Sequence, residues 1–205
     1  MSPDIKTQFW ADRIAREAHA QNGRHVVSDA KTPSGRIHVG SLRGVVIHDV
    51  IFKAVRDSGQ KVEYVYRFDD FDPMDGFPPG VSEEFRKHMG EPLCDVPSPE
   101  PGHVCFARFF AEEFRTVFEN LDCHPRIVWS SEQYRAGKFD ALIRKALEKA
   151  ELFRAINESV SGAKKVQGWL PINVVCEKCG KIGTTKVSDF DGKTVLYSCD
   201  DVKYA

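Results

Sequence analysis

A histidine and a glycine stand together where a loop turns into a helix. The segment TPSGRIHVGSLRG, residues 32–44, begins with a proline and small residues, passes His38 and Gly40, and then becomes apolar at helical spacing. A helix start offers unpaired backbone N–H groups and a partial positive charge, which suit phosphate. His38 can donate to a phosphate oxygen, Gly40 lets a flat ring approach the backbone, and Ser41 is expected to cap the helix. A lone His-x-Gly is more often explained by capping and packing, but this longer pattern favours a nucleotide-phosphate site.

Three cysteines near the carboxyl end have the spacing of a metal site. Cys176 and Cys179 form a Cys-x-x-Cys pair, in which two thiolates on one tight turn can share a zinc ion. Asp191-Gly192 is a hairpin turn signal between alternating segments, and a hairpin there would bring Cys199 back to the first pair. The pattern predicts a zinc-ribbon-like unit, with unrelated free thiols as the alternative.

A fourth zinc ligand is not evident in the sequence. Tetrahedral zinc takes four ligands, and Cys-x-x-Cys spacing from Cys199 would place the last at position 202, which is Val202. Neither cysteine nor histidine follows Cys199 in the sequence. Asp200 and Asp201 are weak substitutes for a thiolate. We therefore expect an incomplete zinc site, whose fourth ligand lies outside this chain.

The composition is that of an ordinary soluble protein. Of 205 residues, 29% are charged and 41% are hydrophobic, and the formal net charge is −1. Any nucleic-acid binding must therefore use a local basic patch. No apolar run approaches the ~20 residues of a membrane span, and the amino terminus lacks the basic-then-apolar order of a secretory signal. These features predict a cytoplasmic protein with no membrane partner.

The elements that position these residues alternate between strand and helix. Strand patterns at RHVVSDA, KVEYVYRF and RIVWSS are separated by helical periodicity over residues 42–55 and 106–121. Further helices are predicted at residues 7–21, ended by Asn22-Gly23, and at 138–153. Strand, helix and strand in this order form βαβ units. The fold class is therefore predicted to be α/β, an open parallel sheet with helices on its faces.

Two segments depart from this alternation. Residues 71–103 are rich in proline and glycine, which predicts an irregular insertion beside a strand end. Residues 166–205 contain the cysteine cluster. We expect residues 1–165, with the insertion, to form the α/β unit that carries the chemistry, and residues 166–205 to form the zinc-ribbon-like unit.

Three motifs together resemble a known enzyme family. Pro33, His38 and Gly40 in TPSGRIHVGS resemble the first signature of class I aminoacyl-tRNA synthetases, the HIGH motif, written HVGS here. With it, YRFDDFDPMDG and GWLPINVVCEKCG are similar to segments of the class I, archaeal-type lysyl-tRNA synthetases. The likeness extends from Phe9 to Cys199. The first motif alone indicates class I synthetases in general, and the other two select the lysine family.

The resemblance implies a Rossmann-like (HUP-type) nucleotide-binding domain in a monomeric enzyme. It implies activation of lysine with ATP and Mg²⁺ to lysyl-adenylate, transfer of the lysyl group to the acceptor end of tRNA(Lys), and a structural Zn²⁺ at the cysteines. The residues that match the ATP-binding motif are Pro33, Ser34, His38, Gly40 and Ser41. Ala30 and Thr32 would contact the lysine or its adenylate. The family more often has a glycine at the position of Ala30, where a methyl group would tighten the pocket.

Three carboxylates at the end of the second strand pattern are candidates to attract the lysine ammonium. They are Asp69, Asp70 and Asp72. For any one of them, capping a turn by hydrogen bonds is an equally common role.

A second metal site of the family is expected to be absent. The segment DVPSPEPGHVC resembles one that binds another metal in many members, which have an aspartate and a cysteine where this chain has Ser98 and Gly102. Only His103 remains of that ligand set. One such residue does not make a metal site.

The resemblance also sets an expectation about completeness. The second class I signature, Lys-Met-Ser-Lys-Ser, has no counterpart here, and GAKKVQG at residues 162–168 lacks its serines. There is no room for a helical anticodon-binding domain either. We therefore expect an amino-terminal portion of a lysyl-tRNA synthetase, with little or no activity by itself.

Two alternatives stay open. One is a fragment of a glutamyl-type class I ligase, because glutamate enzymes share the opening motif. The other is a non-catalytic nucleotide- or tRNA-binding module. Basic residues near the cysteines would serve RNA binding in either scheme: Lys164, Lys165, Lys178, Lys181 and Lys186.

Overall fold

A parallel three-stranded sheet forms the centre of the molecule, in a computed structural model that describes residues 9–21, 23–200 and 203. The strands are β1 (His25–Lys31), β2 (Val62–Phe68) and β3 (Arg126–Trp129), in the order β1-β2-β3. The register pairs Lys31 with Phe68 and Phe68 with Trp129, so that all three strands end at one edge. The predicted α/β class with parallel strands is confirmed, and it is consistent with a Rossmann-like domain.

The described residues contain six α-helices. They are α1 (Trp10–His19), α2 (Val39–Asp57), α3 (Phe106–Glu119), α4 (Ser130–Arg135), α5 (Asp140–Glu148) and α6 (Ala150–Ser161). The single helix predicted at 138–153 is two helices, because Lys149 leaves the helical region with φ −112° and ψ 26°. The end predicted for α1 includes Asn22, which lies outside the described residues. No helix in the described ranges is long and apolar enough to cross a bilayer.

The predicted hairpin is present near the carboxyl end. β4 (Thr185–Phe190) and β5 (Val195–Cys199) pair antiparallel. The turn between them is held by Asp191, whose Oδ1 accepts the N–H groups of Lys193 and Thr194 at 2.8 and 2.7 Å. Gly192 follows with φ +93°, a backbone conformation that favours glycine. The Asp-Gly signal therefore marks the turn that brings β5 back along β4.

Helix α3 supplies side chains to two separate hydrophobic cores. Phe114 and Phe118 pack with Tyr66 and Phe68 of β2, which forms the core beneath the sheet. Phe106 and Phe110, one to two turns earlier, belong to a second core. The other members of that core come mainly from the proline-rich segment and include Met74, Leu93 and Val96. The insertion at residues 71–103 thus has few regular elements, a 3₁₀ helix at Glu83–His88 among them, but its interior is packed.

The insertion contacts both regions that the sequence marks for function. A Cβ at Gly35, in the loop after β1, would lie 2.8 Å from Cβ of Pro78, so the insertion presses closely on that loop. At its other side, the carbonyl of Gly90 accepts the N–H groups of Ile182 and Gly183 at 2.7 and 3.0 Å. Those residues lie just after the Cys-x-x-Cys pair. The insertion therefore positions the loop after β1 and the cysteine-bearing segment relative to the same core.

Candidate functional site

The loop after β1 ends in a histidine that caps a helix. His38 is the N-cap of α2, and its Nδ1 accepts the N–H of Gly40 at 3.0 Å. Its carbonyl accepts the N–H of Ser41 at 3.0 Å. Because Nδ1 is the acceptor, the neutral imidazole carries its proton on Nε2. The exposed ring can therefore donate a hydrogen bond from Nε2 to a ligand at the helix start.

Gly40 makes this cap possible. A Cβ at Gly40 would lie 2.7 Å from Cε1 and 2.8 Å from Nδ1 of His38, which is closer than real Cβ contacts. The imidazole of His38 therefore lies against Gly40 in this structure, and the approach of a ligand's flat ring to Gly40 stays a prediction. The expectation that Ser41 caps the helix is wrong, because α2 begins earlier, at Val39, and the histidine takes that position. Ser41 lies in the first turn and is half-buried.

The remaining residues of the predicted ATP motif lie on the same loop. Pro33 is fully buried, so its ring anchors the loop on the protein. Ser34 is exposed, as are His38 and Gly40. The loop thus combines one buried anchor with an exposed row of small and polar groups at the start of α2, which is the arrangement that a phosphate chain requires.

The two predicted lysine-contacting residues of this loop lie at the end of β1. Ala30 is exposed, and its N–H donates to Oδ1 of Asp29 at 2.8 Å. Thr32 donates from Oγ1 to Oδ2 of Asp72 at 2.7 Å. This bond joins the loop after β1 to the loop after β2. It brings one of the three candidate carboxylates next to the predicted adenylate loop.

The three candidate carboxylates have different surroundings. Asp70 is buried and accepts both the N–H and the hydroxyl of Ser131, at 2.8 and 2.6 Å, at the start of α4. Asp69 accepts the hydroxyl of Ser130 at 2.6 Å and Nε of Arg67 at 2.8 Å. Asp72 is exposed at the surface beside Thr32. The structure therefore uses Asp70 to hold α4, while Asp69 and Asp72 face the space beyond the strand ends.

Asp72 has an altered acidity. Desolvation of the partly covered carboxyl group is the largest cause, and it raises the pKa of Asp72. The hydrogen bond from Thr32 opposes this change, and the neighbouring carboxylates Asp69, Asp75 and Asp70 add to it. A cation near Asp72 would relieve the repulsion among these groups. The carboxylates around Asp72 therefore form a negatively charged environment that suits an ammonium group.

The sequence did not single out several residues that shape this site. Asp29 lies behind the loop, with Oδ2 3.5 Å from Nδ1 of His48, and a Cβ at Gly44 would come within 2.8 Å of that carboxylate. Ser130 and Ser131 follow β3 directly and hold Asp69 and Asp70. The available signal was position, because polar residues right after a parallel strand lie at the edge where ligands bind.

The three cysteines predicted to bind zinc are brought together. The ligand atoms of Cys176, Cys179 and Cys199 all lie within 4.8 Å of one another, and Sγ of Cys179 is 3.6 Å from Sγ of Cys199. Zinc–sulfur bonds of about 2.3 Å in a tetrahedron require sulfur atoms at roughly this spacing. Three thiols therefore fit one zinc ion, and the hydroxyl of Thr184 lies 3.2 Å from Sγ of Cys199.

The turn around the first cysteine favours its thiolate. Backbone N–H groups of Cys179 and Lys178 are the largest causes that lower the pKa of Cys176, to about 7. The turn itself closes through the N–H of Gly180, which donates to the carbonyl of Cys176 at 2.9 Å. The thiolate is the form that binds metal. Of the weak substitutes for a fourth ligand, Asp200 is described, with its N–H on the carbonyl of Thr184, and Asp201 lies outside the described residues.

Two residues of the segment in which the sequence predicts no second metal site make other contacts. Nδ1 of His103 lies 2.8 Å from Oε2 of Glu112 on α3. Ser98 donates from its hydroxyl to the carbonyl of Glu100 at 2.6 Å, which closes a local turn. These contacts give each residue a structural role in the insertion.

Comparison with known proteins gives a consistent result over nearly the whole chain. The family model described as "tRNA synthetases class I (K)" matches residues 8–204. A "Lysine--tRNA ligase" of Methanosarcina barkeri is 36% identical over 195 residues, and a "Lysine--tRNA ligase 1" of Methanosarcina acetivorans is 37% identical over 192 residues. A "Lysine--tRNA ligase" of Archaeoglobus fulgidus is 34% identical over 191 residues.

These alignments cover nearly all of this chain but a much smaller share of each relative. They include 94% of this chain for the first relative and 93% for the other two. They include 36% of each Methanosarcina protein and 39% of the Archaeoglobus protein. The chain therefore spans little more than a third of the length of the relatives that it matches.

Proposed function

The chain belongs to the class I tRNA synthetase (K) family, and on that premise we propose that it contributes the nucleotide- and lysine-binding part of a lysine--tRNA ligase. The observation that carries the proposal is the cap of α2. His38 and Gly40 stand at the carboxyl edge of the parallel sheet, and the histidine presents Nε2–H at a helix start. A nucleotide phosphate is the ligand that this arrangement suits best.

In the proposed reaction, lysine attacks the α-phosphate of ATP to give lysyl-adenylate and pyrophosphate. Pro33 holds the loop, while Ser34, His38, Gly40 and Ser41 line the phosphate and ribose side. His38 donates from Nε2 to a phosphate oxygen as negative charge builds during displacement. Positioning and charge neutralisation supply the catalysis, and no protein nucleophile is needed. Mg²⁺ bound with ATP would share the phosphate charge.

We assign lysine recognition to the paired loops after β1 and β2. Ala30 and Thr32 lie on the first loop, and Asp72 is bonded to Thr32. Asp69 and Asp72 supply carboxylates for the ammonium, whereas Asp70 positions α4 through Ser131. Because carboxylates would repel a glutamate side chain, this pocket disfavours the glutamyl alternative.

We propose that the cysteine cluster is a zinc-ribbon-like site that holds one Zn²⁺ through Cys176, Cys179 and Cys199. The spacing of the three sulfur atoms supports this assignment. The ion would fix the β4–β5 hairpin to the turn at Cys176, a structural role without a chemical step.

The acceptor end of tRNA is the second substrate of the proposed enzyme, which acts on it after adenylate formation.

Calorimetric titration with a non-hydrolysable lysyl-adenylate analogue tests the proposal. We expect the chain to bind the lysyl compound in preference to the glutamyl compound, and His38→Ala to weaken binding. Equal binding of the two analogues would contradict the lysine assignment. Binding of neither, together with RNA binding that is unaffected by His38→Ala, would favour the non-catalytic RNA-binding module instead.

A further inference from the structure

Two of the three clustered thiols have the arrangement of a redox-active pair. Sγ of Cys179 lies 3.6 Å from Sγ of Cys199, and a disulfide bond requires about 2.05 Å between the two sulfur atoms. Both thiols are free in this structure. The β4–β5 hairpin returns Cys199 to the turn that carries Cys179. The two sulfur atoms are therefore close enough to bond after a small rotation of their side chains.

The thiols of this pair are also the accessible ones in the cluster. Cys179 and Cys199 are half-buried, whereas Cys176 is buried, with 4% of its surface exposed. The hydroxyl of Tyr197 lies 3.9 Å from Sγ of Cys176 and covers it further. Oxidation of a thiol by a dissolved oxidant depends on its exposure as well as its thiolate character. A small oxidant would thus reach Cys179 and Cys199 first.

The other three cysteines are poorly placed for the same chemistry. Cys105 and Cys123 are buried in the two hydrophobic cores, and Cys94 packs against one of them. Desolvation by burial is the largest cause that raises the pKa of Cys94 to about 12 and that of Cys123 to about 11. Because the thiolate is the reactive form, these thiols are less reactive than exposed ones. Oxidation should therefore be selective for the cluster.

We propose that Cys179 and Cys199 form a reversible oxidation site, at which a hydroperoxide converts the two thiols into a disulfide. One thiol takes an oxygen atom from the peroxide and becomes a sulfenic acid, and the peroxide leaves as water or an alcohol. The second sulfur then attacks the first and expels that oxygen as water, which forms the S–S bond. Two electrons pass from the thiols to the peroxide, and both thiol protons leave in the products.

Oxidation would exchange one link in the cysteine cluster for another. The zinc site assigned above uses three thiolates, and the disulfide removes two of them, which leaves Cys176 alone. One thiolate does not hold a structural zinc ion, so the ion would be released. The S–S bond would then tie the end of β5 to the turn at Cys179. The release of zinc rests on the proposed function, whereas the disulfide does not.

Peptide mapping of the whole chain after treatment with a small excess of hydrogen peroxide tests the proposal. The remaining thiols are blocked with N-ethylmaleimide, and the chain is digested without reductant. The three cysteines then fall on separate peptides, because trypsin cuts after Lys178, Lys181 and Lys193. We expect the peptides of Cys179 and Cys199 to be linked, with Cys176 blocked, and dithiothreitol to reverse the link. No link, or a link of Cys176 to Cys179 as the main product, would overturn the proposal.

Two variants separate the pair from its surroundings. Cys176→Ser keeps both members of the pair and should still form the link, and a folded variant that does not would identify Cys176 as a reacting thiol and overturn the assignment. Cys94→Ser is the matched control outside the cluster and should behave like the wild type.

A coloured zinc chelator added during oxidation distinguishes this inference from the zinc assignment. Zinc-loaded protein should release about one ion per chain as the disulfide forms, and should bind zinc again after reduction. A linked pair in a chain that binds no zinc would leave the oxidation site assigned and refute the zinc site. Bound zinc with no disulfide after oxidation would do the reverse.

Discussion

The strand-end site and the cysteine cluster are built in different ways. At the strand ends, polar side chains are tied by hydrogen bonds within the protein, as with His38 to Gly40 and Thr32 to Asp72. In the cysteine cluster, three thiols face one another, and the shortest sulfur–sulfur contact is 3.6 Å. Neutral thiols form only weak hydrogen bonds. The first site is therefore organised by hydrogen bonds before a ligand arrives, whereas in the second we expect a metal ion to hold the sulfur atoms together.

The two sites therefore differ in how far their structure depends on a bound ligand. The sheet core under α3 contributes its stability whether or not a ligand is bound, because it buries Phe114, Phe118 and Tyr66. The cysteine-bearing segment is joined to the rest of the molecule by hydrogen bonds, such as those that the carbonyl of Gly90 accepts. We expect chemistry at the strand ends to be independent of zinc, and the local order of the hairpin to depend on it.

The largest expected effect comes from removing one thiol. Cys176→Ser takes away the thiolate that its turn stabilises, so metal content measured by atomic absorption should fall to background after purification in zinc. Cys94→Ser is the control, since Cys94 is a half-buried thiol outside the cluster. The lysyl-adenylate analogue should still bind to Cys176→Ser. Retained zinc in that variant would contradict the assignment of Cys176 as a ligand, and lost analogue binding would contradict the independence of the two sites.

The next largest effect is expected from Gly40→Ala, which tests whether the strand-end site is organised before a ligand binds. Gly40→Ala places a Cβ against the imidazole of His38 and should displace the ring from its capping position. Loss of a hydrogen bond to a charged phosphate amounts to about 1.5–3 kcal/mol, so analogue affinity should fall about tenfold or more by calorimetry. Gly76→Ala is the matched control, because a Cβ there meets no atom within 4 Å. Unchanged affinity in Gly40→Ala would mean that the cap is irrelevant to binding.

A smaller effect concerns pH. The pKa of Asp72 is raised above its ordinary 3.8, so the carboxylate gains a proton earlier as the pH falls and then attracts an ammonium less strongly. Affinity for the lysyl analogue should therefore decrease as the pH is lowered, starting above the range of a free aspartate. Asp72→Asn should bind up to about fivefold more weakly near neutral pH, as expected for one exposed ion pair.

The control for this prediction is the shape of the pH profile. In Asp72→Asn the acid-side decrease assigned to Asp72 should disappear, which an effect on folding alone would not produce. An unchanged profile would transfer the recognition of the ammonium to Asp69. Either result identifies the strand-end carboxylate that faces the ligand.

Sequence patterns predicted the elements well because each pattern reflects burial. The three strands, α2 and α3 lie where alternation or helical spacing of apolar residues placed them. The break at Lys149 was missed because the helical pattern continues through it. The packed core of the insertion was missed as well. Most of its members lie in the proline-rich segment, where apolar residues do not recur at helical or strand spacing.

The candidate site was predictable in location but not in detail. Residues after parallel strands lie at one edge by topology, which correctly grouped the loop at His38 with the three aspartates. Which carboxylate faces outward depends on the turn that follows β2, and no pattern distinguishes Asp70 from Asp72. The cap of α2 is a geometric property of a histidine side chain, so the sequence favoured Ser41, a more usual capping residue.

Nitrogen NMR of the histidine side chains tests most directly whether His38 is a preorganised phosphate donor. The resonances of His38 are assigned by comparison with His38→Ala. We expect the neutral His38 ring to carry its proton on Nε2 and to accept a hydrogen bond at Nδ1, before any ligand is added. Addition of the lysyl-adenylate analogue should shift the Nε2–H resonance and leave the Nδ1 environment unchanged. A ring protonated at Nδ1, or resonances unaffected by the analogue, would contradict a preorganised phosphate donor at the start of α2.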